Sequence, residues 1–277
     1  MLNKRKMKPQ LIIAGAGYLG QEIARQAHHH FQVLTLNKSG EDADATCDLT
    51  SPTDVAKIAA QIPNPAAIIH CASSGRGGPS AYRDVFLTGS QNLHTHFPKN
   101  QIILTSSTSV YHQTNGEEVD ESSPTEPIRE NSQILLQAEK FILETGGSIA
   151  RLAGLYGPHR SAVLRKFLDG TAVIEDQGQR ILNQIHVTDA ASATLHLALS
   201  KHLGIYNISD NEPISQLACY QGLATHFNKP LPPRGEKNTN RKRAWTHKKV
   251  LNQKIRNTGW QPNYPSYLSA LASLPTS

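Results

Sequence analysis

The chain has 277 residues, 38% of them hydrophobic, with a mean hydropathy of −0.42 and a formal charge of +6. That length supports a full hydrophobic core without staples, and no uninterrupted apolar run approaches the roughly 20 residues of a membrane span. Cys47, Cys71 and Cys219 stand far apart with no CxxC pair, which argues against a zinc site or a disulfide framework and for a reducing, cytoplasmic setting.

The opening MLNKRKMKPQ is basic, lacks an apolar signal core and reads as a short cytosolic tail. The apolar run Leu11, Ile12, Ile13, Ala14 then passes directly into Gly15-Ala16-Gly17-Tyr18-Leu19-Gly20 and the helical pattern QEIARQA. Strand, glycine turn and helix in that order suit a dinucleotide. Gly15 permits the tight turn, Gly17 lets backbone approach a pyrophosphate, and Gly20 lets the helix pack against the strand; Tyr18 and Leu19 open the helix whose N–H groups face the anion. His28, His29 and His30 fall at the helix end, where consecutive residues do not share a face, so no metal site is expected.

FQVLTLN and ATCDL read as further strands, followed by the helix SPTDVAKIAAQI, with Ser51 or Thr53 as cap and Pro52 in its first turn. PAAIIHCAS gives a fourth strand, AYRDVFLTGSQNLHTHF a helix, and QIILTSSTSVY a fifth strand entering a polar loop. Apolar strands alternating with helices imply a parallel sheet covered on both faces. NSQILLQAEKFILETGG carries a helical stripe at Ile134, Leu135, Ala138, Phe141 and Ile142, closed by Gly146-Gly147, and feeds the strand SIARLAGLY. Past Gly157-Pro158 the rhythm changes, returning to strand and helix with QIHVTDAASATLHLAL and GIYNIS, then the helix ISQLACYQGLATHF. Residues 229–256 hold ten Lys/Arg against one Glu, a local +9 that leaves −3 for everything else. Prolines and a glycine at its front make this segment an exposed loop leading into a helix, solvated or able to grip a phosphate; nucleic acid is not its expected partner.

GAGYLG, IIHCAS, ILTSSTSVY, IARLAGLYGP, IHVTDA and YNISDNEPIS appear in this order, and the chain thereby resembles the extended short-chain dehydrogenase/reductase superfamily, in its NAD(P)-dependent epimerase/dehydratase group. The resemblance implies an α/β fold, a Rossmann-type doubly wound parallel sheet with a small discontinuous C-terminal substrate lobe. Residues 8–277 then form one unit, with the core at 8–156 plus 183–209 and the lobe at 157–182 and 210–277. It also implies an NAD(P)-dependent oxidoreductase or epimerase-like enzyme, a small-molecule substrate such as a nucleotide sugar or small carbonyl compound, and a homodimer. The ending NTGWQPNYPSYLSAL is similar to that of shorter, atypical members.

Typical members of this superfamily use a Tyr-x-x-x-Lys pair together with a Ser or Thr at the end of the fifth strand. Here Ser107 falls in the serine position, with Ser106, Thr108 and Ser109 beside it. Counting back from Glu139 places Asn131 in the tyrosine slot and Leu135 in the lysine slot, and neither titrates near neutrality. Either another group supplies the proton, Tyr111 first with His112 and Tyr156 as further candidates, or the substrate needs no such base. A non-catalytic NAD(P)-binding sensor or assembly partner is the alternative.

For the cofactor, strand two ends Leu36-Asn37-Lys38-Ser39 with no carboxylate before Glu41. Lys38 and Ser39 suit a 2′-phosphate and Asn37 a ribose, so NADP is expected, with NAD as the alternative. Asp48 and Leu49 match the family position beside adenine, and Cys71, Ala72 and Ser73 the backbone passing the cofactor, with Cys71 read as small packing rather than a reactive thiol. Arg160, Asn183, Arg241 and Arg243 are the substrate-side candidates. His186 precedes a helix that Thr188 or Asp189 would cap.

Overall fold

The computed structural model describes residues 8–75, 77–237 and 245–275. By its contacts the chain divides into two compact units, one of residues 1–106, 134–150 and 194–204, the other of 107–133, 151–193 and 205–277.

The first unit is built on apolar strands. Its strands are β1 (Gln10–Ala14), β2 (Gln32–Asn37), β3 (Ala45–Thr46), β4 (Ala67–His70) and β5 (Ile102–Ser107), whose last residue opens the second unit. Leu11, Ile12, Ile13, Ile68, Ile69 and Ile103 are all 0% exposed, as continuous apolar strands covered on both faces must be. β1 pairs in parallel with β2 and β4, β2 with β3, and β4 with β5. Two of the helices between them are α1 (Tyr18–Ala27) and α2 (Pro52–Gln61). Ser51 caps α2 by accepting from Asp54 N at 3.3 Å, and Pro52 takes the first helical position, where its missing N–H costs nothing.

The expected helix of residues 81–97 is not uniform. It runs as α3 (Pro79–Tyr82), a π-helical turn Arg83–Thr88, and α4 (Gly89–His96). This turn packs beside the end of β4. Ser90 Oγ donates to Phe86 O at 2.6 Å, so it accepts from His70 Nδ1 at 3.1 Å, which fixes the ring with its proton on Nδ1. A Cβ on Gly89 would meet Leu49 Cβ at 3.3 Å and His70 Cε1 at 3.5 Å. The widened turn seats the buried ring, and burial pushes the His70 pKa down to about 4, so it stays neutral at physiological pH.

The next elements in chain order are β6 (Glu117–Val119), α5 (Glu130–Glu144), β7 (Ser148–Leu152), β8 (Gly154–Tyr156), α6 (Ala162–Leu168), β9 (Ile174–Glu175), β10 (Ile181–Leu182), β11 (Gln184–His186) and α7 (Val187–Ser200). They are followed by β12 (Gly204–Ile208), β13 (Ile214–Ser215), α8 (Gln216–Phe227), β14 (Arg234–Gly235), β15 (Lys248–Val250) and α9 (Gln253–Arg256). The central sheet has seven strands in the order β12-β7-β5-β4-β1-β2-β3. Chain order reverses between β1 and β4, the switch point where open α/β sheets bind ligands.

The second unit carries its own core, including Tyr156, Leu164, Phe167, Tyr220, Leu223 and Tyr267. Short pairs frame it: β6 with β15, β8 with β11 and β9 with β14 in parallel, and β10 with β13 antiparallel. The cap of α7 differs from expectation: His186 Nδ1 accepts from Thr188 N at 3.3 Å, while Asp189 accepts from Asn263 N and Tyr264 N at 2.8 and 2.9 Å. Asp189 therefore ties down the C-terminal segment rather than its own helix.

Asp210, 2% exposed, is the least compensated carboxyl of this unit: Oδ1 has no hydrogen-bond partner among the described residues. Burial, reinforced by Glu212 and Asp189, pushes its pKa up to about 8. A carboxyl with a raised folded pKa contributes stability that is complete below its unfolded pKa, about 3.9, and lost as pH rises through the folded value. Urea unfolding of both proteins should show the wild type losing a few kcal/mol relative to Asp210→Asn between pH 5 and 9. Equal slopes for the two proteins would refute this assignment.

Candidate functional site

The glycine turn of the first unit is the best-defined feature. Gly15 stands at φ +123°, and its N–H and that of Ala16 both donate to Leu36 O at 2.9 Å, fastening the turn to the end of β2. A Cβ there would lie 2.3 Å from Ala72 N, so glycine is required by sterics as well as by φ. A Cβ on Gly20 would fall 1.9 Å from Gly15 O, which shows how closely α1 packs on the turn.

Gly17 is different. It caps α1 at φ −88°, ψ −162°, an extended conformation open to any residue, and a Cβ there would meet no atom of the other described residues within 4 Å. Among the described residues nothing demands a glycine at this position. A glycine that only an outside group would need, at a helix N-terminus with no side-chain cap, fits a phosphate cradle.

Around this turn, Cys71 Sγ donates to Gly15 O at 3.2 Å, and burial pushes its thiol up to about 12. Ala72 supplies the backbone under Gly15, and Ser73 Oγ accepts from Gly75 N at 3.2 Å. Asn37 spends its amide on its own loop, accepting from Gly40 N at 2.5 Å and from Ser39 Oγ at 3.4 Å and donating to Glu41 O. Lys38 and Asp48, singled out separately in the sequence, meet as an ion pair at 2.8 Å. That hydrogen bond raises the lysine pKa and lowers the aspartate's. Asp48 also accepts from Thr50 N and Oγ1, and Leu49, 7% exposed, accepts from Asn92 Nδ2 through its carbonyl.

In the second unit, Ser107 Oγ accepts from Ser109 N at 3.1 Å and caps a 3₁₀ turn, Thr108–Val110. Ser109 Oγ lies 3.1 Å from Ser132 Oγ, which joins this turn to the first turn of α5, where Asn131 is half-buried. Leu135 is 3% exposed and belongs to the core. None of the eight tyrosines has a lysine four residues later.

Tyr111 corrects an expectation. It is 0% exposed; its O–H donates to Asn207 Oδ1 at 2.9 Å and accepts from Arg151 at 2.9 Å, and burial raises its pKa. The phenol's donor and acceptor sides are thus both engaged by residues of the second unit. Asn183 is a second correction: its Nδ2 donates to Lys248 O at 2.9 Å and its Oδ1 accepts from Val250 N at 2.7 Å, so the amide clamps β15 instead of reaching for substrate. Tyr156 is likewise buried and its phenol raised by burial. Arg160 is exposed, its backbone bridged to Gly157 at 3.0 Å; Arg241 and Arg243 lie outside the described residues.

One buried cation went unnoticed in the sequence. Lys248 is 4% exposed although it sits in the most basic stretch of the chain. The burial alternates along β15, buried at Lys248, intermediate at Lys249 and buried at Val250, and the residues themselves, Lys-Lys-Val in a run of lysines and arginines, carry no sign of it.

Comparison with known proteins agrees with the geometry. Residues 11–209 match the family model described as "NAD dependent epimerase/dehydratase family". No curated protein matches the chain. Among solved structures, dTDP-4-dehydrorhamnose reductase of Bacillus anthracis, in complex with NADP, is 19% identical with a TM-score of 0.80, covering 96% of this chain and 98% of that one. UDP-glucose 4-epimerase of Thermus thermophilus, in complex with NAD, is 17% identical at a TM-score of 0.78, with 95% and 97% covered. UDP-N-acetylglucosamine 4-epimerase of Methanobrevibacter ruminantium, in complex with UDP-N-acetylmuramic acid, is 16% identical at 0.79, with 95% and 96% covered. Their similarity extends over the whole fold, the family match spans the strand order and the glycine turn, and the chain belongs to the NAD dependent epimerase/dehydratase family.

Proposed function

We propose that the protein is an NAD(P)-dependent oxidoreductase or epimerase-like enzyme acting on a nucleotide sugar or small carbonyl compound. The observation that supports the reading is Gly17, whose Cβ position is open among the described residues and which starts α1 without a side-chain cap. Gly15, Gly17 and Gly20, with the backbone of Tyr18 and Leu19, would hold the pyrophosphate, and Ala72 and Ser73 would flank it. Lys38, once released from Asp48, would face a 2′-phosphate, which favours NADP. When bound, the nicotinamide supplies the exchange of hydride with substrate carbon.

The chain's own share is positioning. Ser107, whose oxygen already accepts from Ser109 N, keeps its hydroxyl proton available to a substrate oxygen. Asn131 at the start of α5 adds a neutral amide. Arg160, with Arg241 and Arg243, would grip a substrate phosphate, and a cytoplasmic homodimer is the form we expect. Solved relatives in complex with UDP-glucose and UDP-glucuronic acid support the substrate class.

The test is turnover of UDP- and dTDP-sugars, aldehydes and ketones at saturating NADPH or NADH, with Ser107→Ala alongside. At least one substrate should react, and the variant should lose about a hundredfold in kcat with its cofactor affinity unchanged. Cofactor binding without turnover of any substrate would overturn the enzymatic reading in favour of a sensor.

A further inference from the structure

Lys248 has no place in the reading above. It is a buried ammonium whose register partner across β6 is the exposed Glu117; the carboxylate of Glu118 is taken at 3.0 Å by the outward-facing Lys249. Its Nζ donates to two neutral oxygens, Tyr111 O at 3.0 Å and Thr246 Oγ1 at 3.1 Å. β15 holds it there through its pairing with β6 and through the Asn183 amide, which grips Lys248 O and Val250 N.

The carbonyl it reaches is informative. Tyr111 ends the 3₁₀ turn that Ser107 begins, and Tyr111 N donates to Thr108 O at 3.3 Å. The phenol end of Tyr111 is fixed by Asn207 and Arg151. Its backbone is fixed by Lys248. A buried carbonyl needs one donor, and a methionine with a neutral donor nearby would spare the cost of burying a charge. The charge-assisted bond is about twice as strong as a neutral one.

We infer that Lys248 is the positioning residue of the Ser107 turn, clamping Tyr111 O so that the Ser107 hydroxyl keeps one orientation. This rests on the role proposed for Ser107. The charged and titratable groups around the lysine are Arg180 from the segment before β10, and His247 and Glu117 from the paired strands, with His247 Nδ1 accepting from Ile181 N at 3.1 Å. Burial, with Arg180 adding to it, lowers the Lys248 pKa to about 8. The clamp therefore weakens within an accessible pH range.

Hydrogen-exchange protection factors, corrected for intrinsic rates, test this at Ser109 N and Tyr111 N between pH 6.5 and 9.5. Gly15 N and Ala16 N in the glycine turn serve as internal controls. The wild-type chain should lose several-fold protection at Ser109 and Tyr111 across pH 8, and Lys248→Met should lose about tenfold at pH 7 and show no step. Lys248→Arg, which keeps its charge throughout, should restore protection without the step. Unchanged protection in Lys248→Met, or equal loss at all four amides, overturns the assignment. If Lys248→Met fails to fold, the wild-type pH series decides alone: a step at Ser109 and Tyr111 supports the clamp, and its absence overturns it. NADPH titration of the same samples reports the cradle separately, so failed cofactor binding with an intact pH step would count against the proposed function only.

Discussion

Gly17→Asp should make the protein more stable and unable to bind cofactor. The extended backbone at this position suits an N-cap, and the helix it opens has neither a capping side chain nor an acidic residue in its first turn. A carboxylate there would accept from helix N–H groups and meet the positive end of the dipole, contributing about 1 kcal/mol, or roughly 2–4 °C in Tm for a chain of this size. The Cβ of that side chain meets none of the other described residues within 4 Å. The added atoms would instead occupy the space left for a pyrophosphate and repel it, weakening NADPH and NADH binding by at least about a hundredfold, near 3 kcal/mol. Thermal melts with cofactor titration measure both. A variant that melts higher and still binds would remove the ground for a cradle at this turn.

Gly20→Ala is expected to fail in the opposite way. Its Cβ would stand 1.9 Å from Gly15 O, 2.9 Å from Gly15 C and 3.2 Å from Cys71 Sγ, and the first two contacts are with backbone that a rotamer change cannot relieve. α1 must lift away from β1, exposing part of the face made by Ile23, Ala24 and Ala27. Such overpacking costs about 3 kcal/mol, and the displaced turn loses cofactor as well. Chemical denaturation resolves that difference easily. Gly17→Ala in the same experiment should stay within about 1 kcal/mol of the wild type.

The two substitutions separate what was legible in the sequence from what was not. The strand, turn and helix around GAGYLG were readable because local propensity, periodicity and the glycine spacing all agree, and the parallel sheet followed from continuous apolar strands. The roles of single polar residues were harder. Tyr111 and Asn183 look reactive in one dimension, but each is consumed by contacts with residues far along the chain, Asn207 and Arg151 for one and β15 for the other. Lys248 was hidden by its surroundings, since a run of lysines and arginines reads as solvated, and only the pairing of β15 with β6, about 130 residues away, turns it inward. The π-helical turn of residues 83–88 has no composition of its own, and what lies beside it, the buried His70 ring bonded to Ser90, comes from a separate strand.

The central claim, that the turn from Gly15 to Gly20 binds a nicotinamide dinucleotide, is tested most directly by equilibrium titration of the wild-type protein with NADPH and NADH followed by nucleotide fluorescence. The account predicts saturable binding of both at one site per chain, NADPH the tighter. Absence of binding by either nucleotide at millimolar concentration would contradict it.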